Sequence, residues 1–69
     1  MYIEDGFSLN LVAARVNRNL TRDEAAEQTG VSSRTLANWE RGKTAPDAKH
    51  LMRLTEIYQV PAALLRFDP

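Results

Sequence analysis

The stretch Ser33–Arg41, SRTLANWER, holds the side chains with the clearest chemistry in this chain. Leu36 and Trp39 stand at i and i+3 and face inward on a helix, which leaves Ser33, Arg34, Ala37, Asn38 and Arg41 for solvent or a ligand. That outward set is a hydrogen-bonding set. Arginine can pair bidentately with guanine, asparagine with adenine, and serine accepts or donates. Competing chemistries are poorly supplied. The chain has no cysteine and one histidine, so thiolate sites are excluded and His50 has no second imidazole with which to hold a metal. There is no glycine-rich phosphate loop, and the chain is too short for a deep pocket, so an enzyme is not expected and no cofactor is called for. Glu40 resembles a catalytic acid only when read in isolation. Trp39 is a core residue rather than a stacking platform.

The elements that must position these residues span Leu20–Pro46. Thr21 is a cap with Glu24 three residues on, the spacing of a capping box. A helix should run from about Arg22 to Thr29 and stop at Gly30, because glycine tolerates the left-handed turn that ends helices. Ser32 can cap the next helix, which runs to about Arg41 and is closed by Gly42. Two short helices joined by a tight glycine turn form a helix-turn-helix, whose second helix can enter a DNA major groove. Ala25 and Ala26 are small enough for the two helices to cross closely, and Val31 plugs the turn.

The rest of the chain supports this unit. Ser8 is a plausible cap for a first helix ending near Asn17, with Leu9, Val12, Ala13 and Val16 as its buried stripe. A fourth helix should begin at Asp47, just after Pro46, and run to Tyr58 with Leu51, Leu54, Ile57 and Tyr58 inward. Its Lys49, Arg53 and Glu56 form a solvated face with i,i+3 and i,i+4 pairing. Pro61 starts a last short helix, Ala62 to Leu65. No strand pattern is present. The expected fold is all-α, about five short helices around Val12, Val16, Leu20, Ala26, Val31, Leu36, Trp39, Leu51, Leu54, Ile57, Val60 and Leu64. Residues 1–7 read as an N-terminal tail, 8–66 as the domain and 67–69 as a C-terminal end. Tyr2, Ile3 and Phe7 are unusually apolar for a tail and suit packing on the domain or on a partner.

Composition bounds the possibilities. At 69 residues and 43% hydrophobic, the chain makes one small globular domain with a thin core. Apolar runs are too short for a membrane span and the acidic start is unlike a signal peptide, so a cytoplasmic protein is expected. Nine Lys and Arg balance nine Asp and Glu, a net charge of zero. That balance weighs against nucleic acid, whose binding draws on phosphate neutralisation.

At family spacing, the Ala26…Gly30-Val31-Ser32 segment, the Trp39-Glu40-Arg41-Gly42-Lys43 box, Pro46 and the Val60…Leu64-Leu65 ending resemble the helix-turn-helix domain of phage Cro and repressor proteins, over about Leu9 to Leu65. The resemblance implies a lambda-repressor-like fold and roles by position. Ser33, Arg34 and Asn38 match base-reading positions. Thr21, Arg22, Ser32, Arg41, Lys43 and Thr44 match positions that hold phosphates, and the exposed backbone N–H groups at the start of the second helix suit an anion. Arg15 and Glu40 match an internal ion pair. Pro61, Ala62, Leu65 and Phe67 match a dimer or partner interface. Two departures stand out: Asn19 where glycine is frequent, and Ala25 where leucine is commoner.

The implied function is sequence-specific DNA-binding regulation of transcription, repressor or Cro-like, with residues 33–41 in the major groove of a double-stranded operator. A weak homodimer, or a heterodimer with a related repressor, is the expected state, with no membrane and no metal. The alternative is a phage antirepressor or modulator that binds a repressor protein through the same fold. The balanced charge and the apolar residues at both ends favour it.

Overall fold

The computed structural model describes residues 9–66. Four α-helices build it: α1 (Leu11–Asn17), α2 (Arg22–Thr29), α3 (Ser33–Glu40) and α4 (Ala48–Tyr58). A single 3₁₀ turn, Ala62–Leu64, follows. Two short strands, β1 (Leu9–Asn10) and β2 (Leu65–Arg66), pair in parallel with Leu9 opposite Leu65 and Asn10 opposite Arg66. The ladder ties the two ends of the described chain together.

Local chemistry explains each start and stop. Thr21 and Glu24 form the complete capping box, with Thr21 Oγ1 accepting from Glu24 N and Glu24 Oε1 accepting from Thr21 N. Gly30 ends α2 in the left-handed region at φ 88°, where a side chain would be strained. Ser32 caps α3 through Thr35 N. Asn19 takes φ 58°, a conformation asparagine tolerates better than most residues. Asp47 is the cap of α4 rather than its first residue. Its Oδ1 accepts from His50 N at 2.9 Å, and that bond chiefly holds the carboxyl below the ordinary aspartate range.

The expected fifth helix is the 3₁₀ turn. Leu64 N bonds Pro61 O, an i to i+3 closure, and Leu65 is already extended in β2, so there is no room for a full α-turn. The first helix also departs from expectation. Ser8, its expected cap, lies outside the described residues, and Asn10 caps instead, its Oδ1 accepting from Ala13 N at 2.8 Å. Leu9 belongs to β1. The inward stripe of α1 is Leu11 and Ala14, at 1% and 0% exposure, with Arg15 part-buried beside them. Val12 and Val16, expected in the core, are 37% and 57% exposed, and Ala13 is exposed too. A charged residue on the buried face disguised the stripe, and two valines four residues apart offered a false one.

The core joins Leu11, Ala14, Ala25, Ala26, Leu36, Trp39, Leu54, Tyr58, Val60 and Leu65, with Leu20, Val31, Leu51, Ile57 and Leu64 packed against it. Ala37, expected on the outside, is buried as well. Thr29 is a buried polar residue whose hydroxyl donates to Ala25 O at 2.7 Å, so its burial leaves no orphaned donor.

Candidate nucleic-acid interface

The outward face of α3 begins with Ser33 and Arg34, and Asn38 lies one turn beyond Arg34. Arg34 is exposed and has no ion-pair partner among the described residues, whereas Ser33 and Asn38 are half-buried. Leu36, Ala37, Trp39 and Glu40 take the opposite side, and this burial fixes which way Arg34 and Asn38 look.

The turn after α3 folds back onto it. Lys43 N and Thr44 N both donate to Asn38 O, at 2.9 and 3.5 Å, and Gly42 at φ 77° allows the reversal. Arg41, Lys43 and Thr44 are therefore exposed beside the end of α3. The described body is not neutral. All nine Lys and Arg residues fall between positions 15 and 66, while Glu4, Asp5 and Asp68 lie outside 9–66, leaving six acids against nine cations. The zero charge of the chain thus conceals a cationic body.

Some polar groups of this face are already engaged. Ser33 Oγ donates to Asp23 Oδ1, pinning the first residue of α3 to the start of α2. Ser32 Oγ donates to Thr35 Oγ1 and accepts from Thr35 N. At the start of α2, Thr21 N and Glu24 N are taken by the capping box. That helix terminus is thus less open to an anion than its residues imply, and its first turn carries two carboxylates, Asp23 and Glu24. The Asp23–Ser33 bond joins residues ten positions apart and has no periodic signature in the sequence.

Behind α3 lies a charge cluster. Glu40 has a side chain only 1% exposed. Arg15 Nε reaches its Oε2 at 2.8 Å, and Arg15 also donates from Nη1 to Leu20 O at 2.9 Å. Arg22 Nε bonds the other carboxylate oxygen at 3.1 Å. The Arg22 contact was not legible: its resemblance-implied role was a phosphate contact alone, and eighteen residues separate it from Glu40.

Tyr58 belongs to the same region. It is 1% exposed, and among the described residues its hydroxyl is buried with no hydrogen-bond partner. Desolvation, with a smaller push from Glu40, raises its pKa from 10.0 to about 12. The folded pKa lies above the unfolded one, so the stability tied to the neutral phenol is complete below pH 10 and lost as pH rises toward about 12. Alkaline titration of the fold, followed by circular dichroism, should show this loss, and Tyr58→Phe should remove it. The same substitution should leave stability at neutral pH unchanged or raise it by about 1 kcal/mol, because it deletes an unpaired buried hydroxyl. A clear destabilisation by Tyr58→Phe would mean that the hydroxyl is bonded in solution.

The remaining candidates are placed as follows. Pro61 and Ala62 are exposed at the 3₁₀ turn. Leu65 is not a surface residue: pairing of β2 with β1 leaves it 7% exposed in the core. Phe67, like Tyr2, Ile3 and Phe7, lies outside the described residues. His50 Nδ1 lies 2.9 Å from Asp47 Oδ1, and the imidazole packs against Trp39 with ring centroids 5.5 Å apart. Arg53 donates from Nε to Gln28 O and stands 4.0 Å from Glu56. A groove of about 700 Å³ runs between the end of α2 and α4, and no residue of α3 lines it. Among the described residues no group of His, Asp and Glu side chains converges as metal ligands. No helix among them is long and apolar enough to cross a membrane.

Comparison with known proteins places this geometry. The profile of a helix-turn-helix family matches residues 11–65. The cryptic phage CTXphi transcriptional repressor RstR of Vibrio cholerae is 34% identical over 62 residues, covering 90% of this chain and 56% of that protein. The HTH-type transcriptional activator BcrR of Enterococcus faecalis is 33% identical over 54 residues, covering 78% of this chain and 26% of that protein. The chain thus spans about half the length of the first relative and about a quarter of the second. No solved structure gives a comparable match.

Proposed function

The chain belongs to the Cro/C1-type helix-turn-helix family, and from that premise we propose that it is a DNA-binding regulator of transcription that lays α3 in the major groove of a double-stranded operator. The observation that carries this reading is the build of α3. A buried side of Leu36, Ala37 and Trp39 aims Arg34 and Asn38 outward, next to the exposed cations Arg41 and Lys43. Arg34 and Asn38 supply the bidentate chemistry that reads guanine and adenine, and Arg41, Lys43 and Thr44 supply phosphate contacts. Ser33 is the weakest of the three base-reading assignments, because its hydroxyl is held by Asp23. The relatives' names, one a phage repressor and one an activator, support regulation without choosing its direction.

A module of this size buries little surface on DNA, so a two-fold operator bound by two copies is the expected arrangement. With Leu65 in the core, Pro61 and Ala62 are the described residues left for the contact between copies, and the association is weak.

The test is a titration against the operator and against random duplex at several salt concentrations. Arg34→Ala should cost about 1–3 kcal/mol on the operator and relax its specificity, whereas Lys43→Ala should weaken all sequences alike and lower the salt slope by about one. Operator binding by Arg34→Ala equal to that of the parent would remove Arg34 from base reading. The second reading, an antirepressor presenting this fold to a repressor protein, is favoured by the exposed apolar pair Val12 and Val16 on α1. Absence of any DNA binding at low salt would select it.

A further inference from the structure

Glu40 has two arginine partners that differ in exposure. The Arg15 side chain is 13% exposed and also donates from Nη1 to Leu20 O, so it is held largely in the interior. The Arg22 side chain is 42% exposed and gives Glu40 only its Nε. Its terminal nitrogens have no partner among the described residues. The three groups together carry one net positive charge, and Arg22 is the one that reaches the surface. Arg22 is also the first residue of α2, beside the Asp23 that holds Ser33 at the start of α3.

We propose that Glu40 is a positioning residue for phosphate binding: its buried carboxylate, held from within by Arg15, grips Arg22 by Nε and leaves the terminal edge of that guanidinium to a phosphodiester of the DNA backbone at the start of α2. This rests on the DNA-binding reading. The guanidinium suits the task because its five donors in a rigid fork serve a carboxylate on one side and a phosphate on another, whereas an ammonium is a point charge. Holding the arm in advance also removes part of the rotamer entropy that an exposed arginine loses on binding. It accounts for the start of α2 as an anion site although the capping box has occupied two of its backbone donors and two acids sit in its first turn. The binding group there is a side chain fixed by a buried acid, not the helix terminus.

Two measurements test it. In the free parent chain, NMR of arginine side chains should show slowed exchange of the Nε protons of both Arg15 and Arg22, with the exposed Arg18 as the fast reference. Exchange of Arg22 as fast as that of Arg18 would overturn the grip of Glu40. Binding to a random-sequence duplex over a range of salt should then show Arg22→Ala lowering the salt slope by about one, with Lys49→Ala, which removes a charge on α4, leaving it unchanged. Arg22→Lys should fail to restore the parent affinity although it restores the charge. Parent-like binding by Arg22→Ala overturns the phosphate site, and parent-like binding by Arg22→Lys overturns the positioning; either leaves the DNA-binding reading standing. A parent chain that binds no duplex at low salt overturns that reading and the proposal with it, whatever the NMR result.

Discussion

Glu40→Ala should cost about 3–5 kcal/mol of folding stability, the largest loss expected from any polar substitution in this chain. The reason is asymmetry. An intact buried ion pair contributes modestly, because its mutual attraction is offset by the desolvation of both partners. Deleting one partner leaves the other charge buried and unanswered. Arg15 would keep only Leu20 O in a site where its side chain is 13% exposed. Small domains have a total stability of about 5–15 kcal/mol, so this loss removes a large share and brings unfolding down toward room temperature. Urea denaturation followed by tryptophan fluorescence reads it directly, since Trp39 is the sole tryptophan and is buried next to Glu40 in sequence. Arg22→Ala, by contrast, should cost under about 1 kcal/mol, because that arm is half in solvent. If Glu40→Ala lost as little as Arg22→Ala, the carboxylate would be a surface charge and the cluster would not organise the interface.

Leu36→Ala is the second large effect, about 2–5 kcal/mol. Leu36 is 0% exposed at the centre of α3 and belongs to the one core that α1, α2 and α4 share. Its removal takes away buried apolar surface and opens a cavity that short, capped helices collapse into only partly. The comparison with Arg34→Ala is informative, since the two residues lie two positions apart on α3. The inward one should change stability with the exposed face chemically intact. The outward one should change DNA binding with the folding stability unmoved to within about 0.5 kcal/mol, as is usual for surface substitutions. A stable Leu36→Ala, or an unfolded Arg34→Ala, would mean that α3 is rotated from the orientation described.

How much of this was legible follows from the range of the interactions. Caps and stops are made between residues three or four apart, so Thr21 with Glu24, Ser32 with Thr35 and the left-handed Gly30 were readable letter by letter. The anchors Leu36 and Trp39 of α3 and the stripe Leu51, Leu54, Ile57 and Tyr58 of α4 were readable from their apolar spacing, whereas the burial of Ala37 and Glu40 on the same side of α3 was not. In α1 the inward side includes Arg15, whose aliphatic stem lies in the core while its head meets Glu40, so Val12 and Val16 made the stronger pattern on the wrong side. Leu65 read as surface because its burial depends on a strand partner at Leu9, with no local trace of the ladder.

The sequence by itself determined the helix-turn-helix, its boundaries and its family, together with the outward direction of Arg34 and Asn38. These rest on short-range hydrogen bonding, on glycine's conformational freedom and on one helical period. Tertiary structure alone decided the phase of α1, the β1–β2 ladder and the second partner of Glu40. Arg15 and Glu40 are separated by 25 residues and Arg22 and Glu40 by 18, and such contacts exist only once the helices have packed. Packing selects them because a carboxylate taken out of water must find its cations wherever the chain brings them.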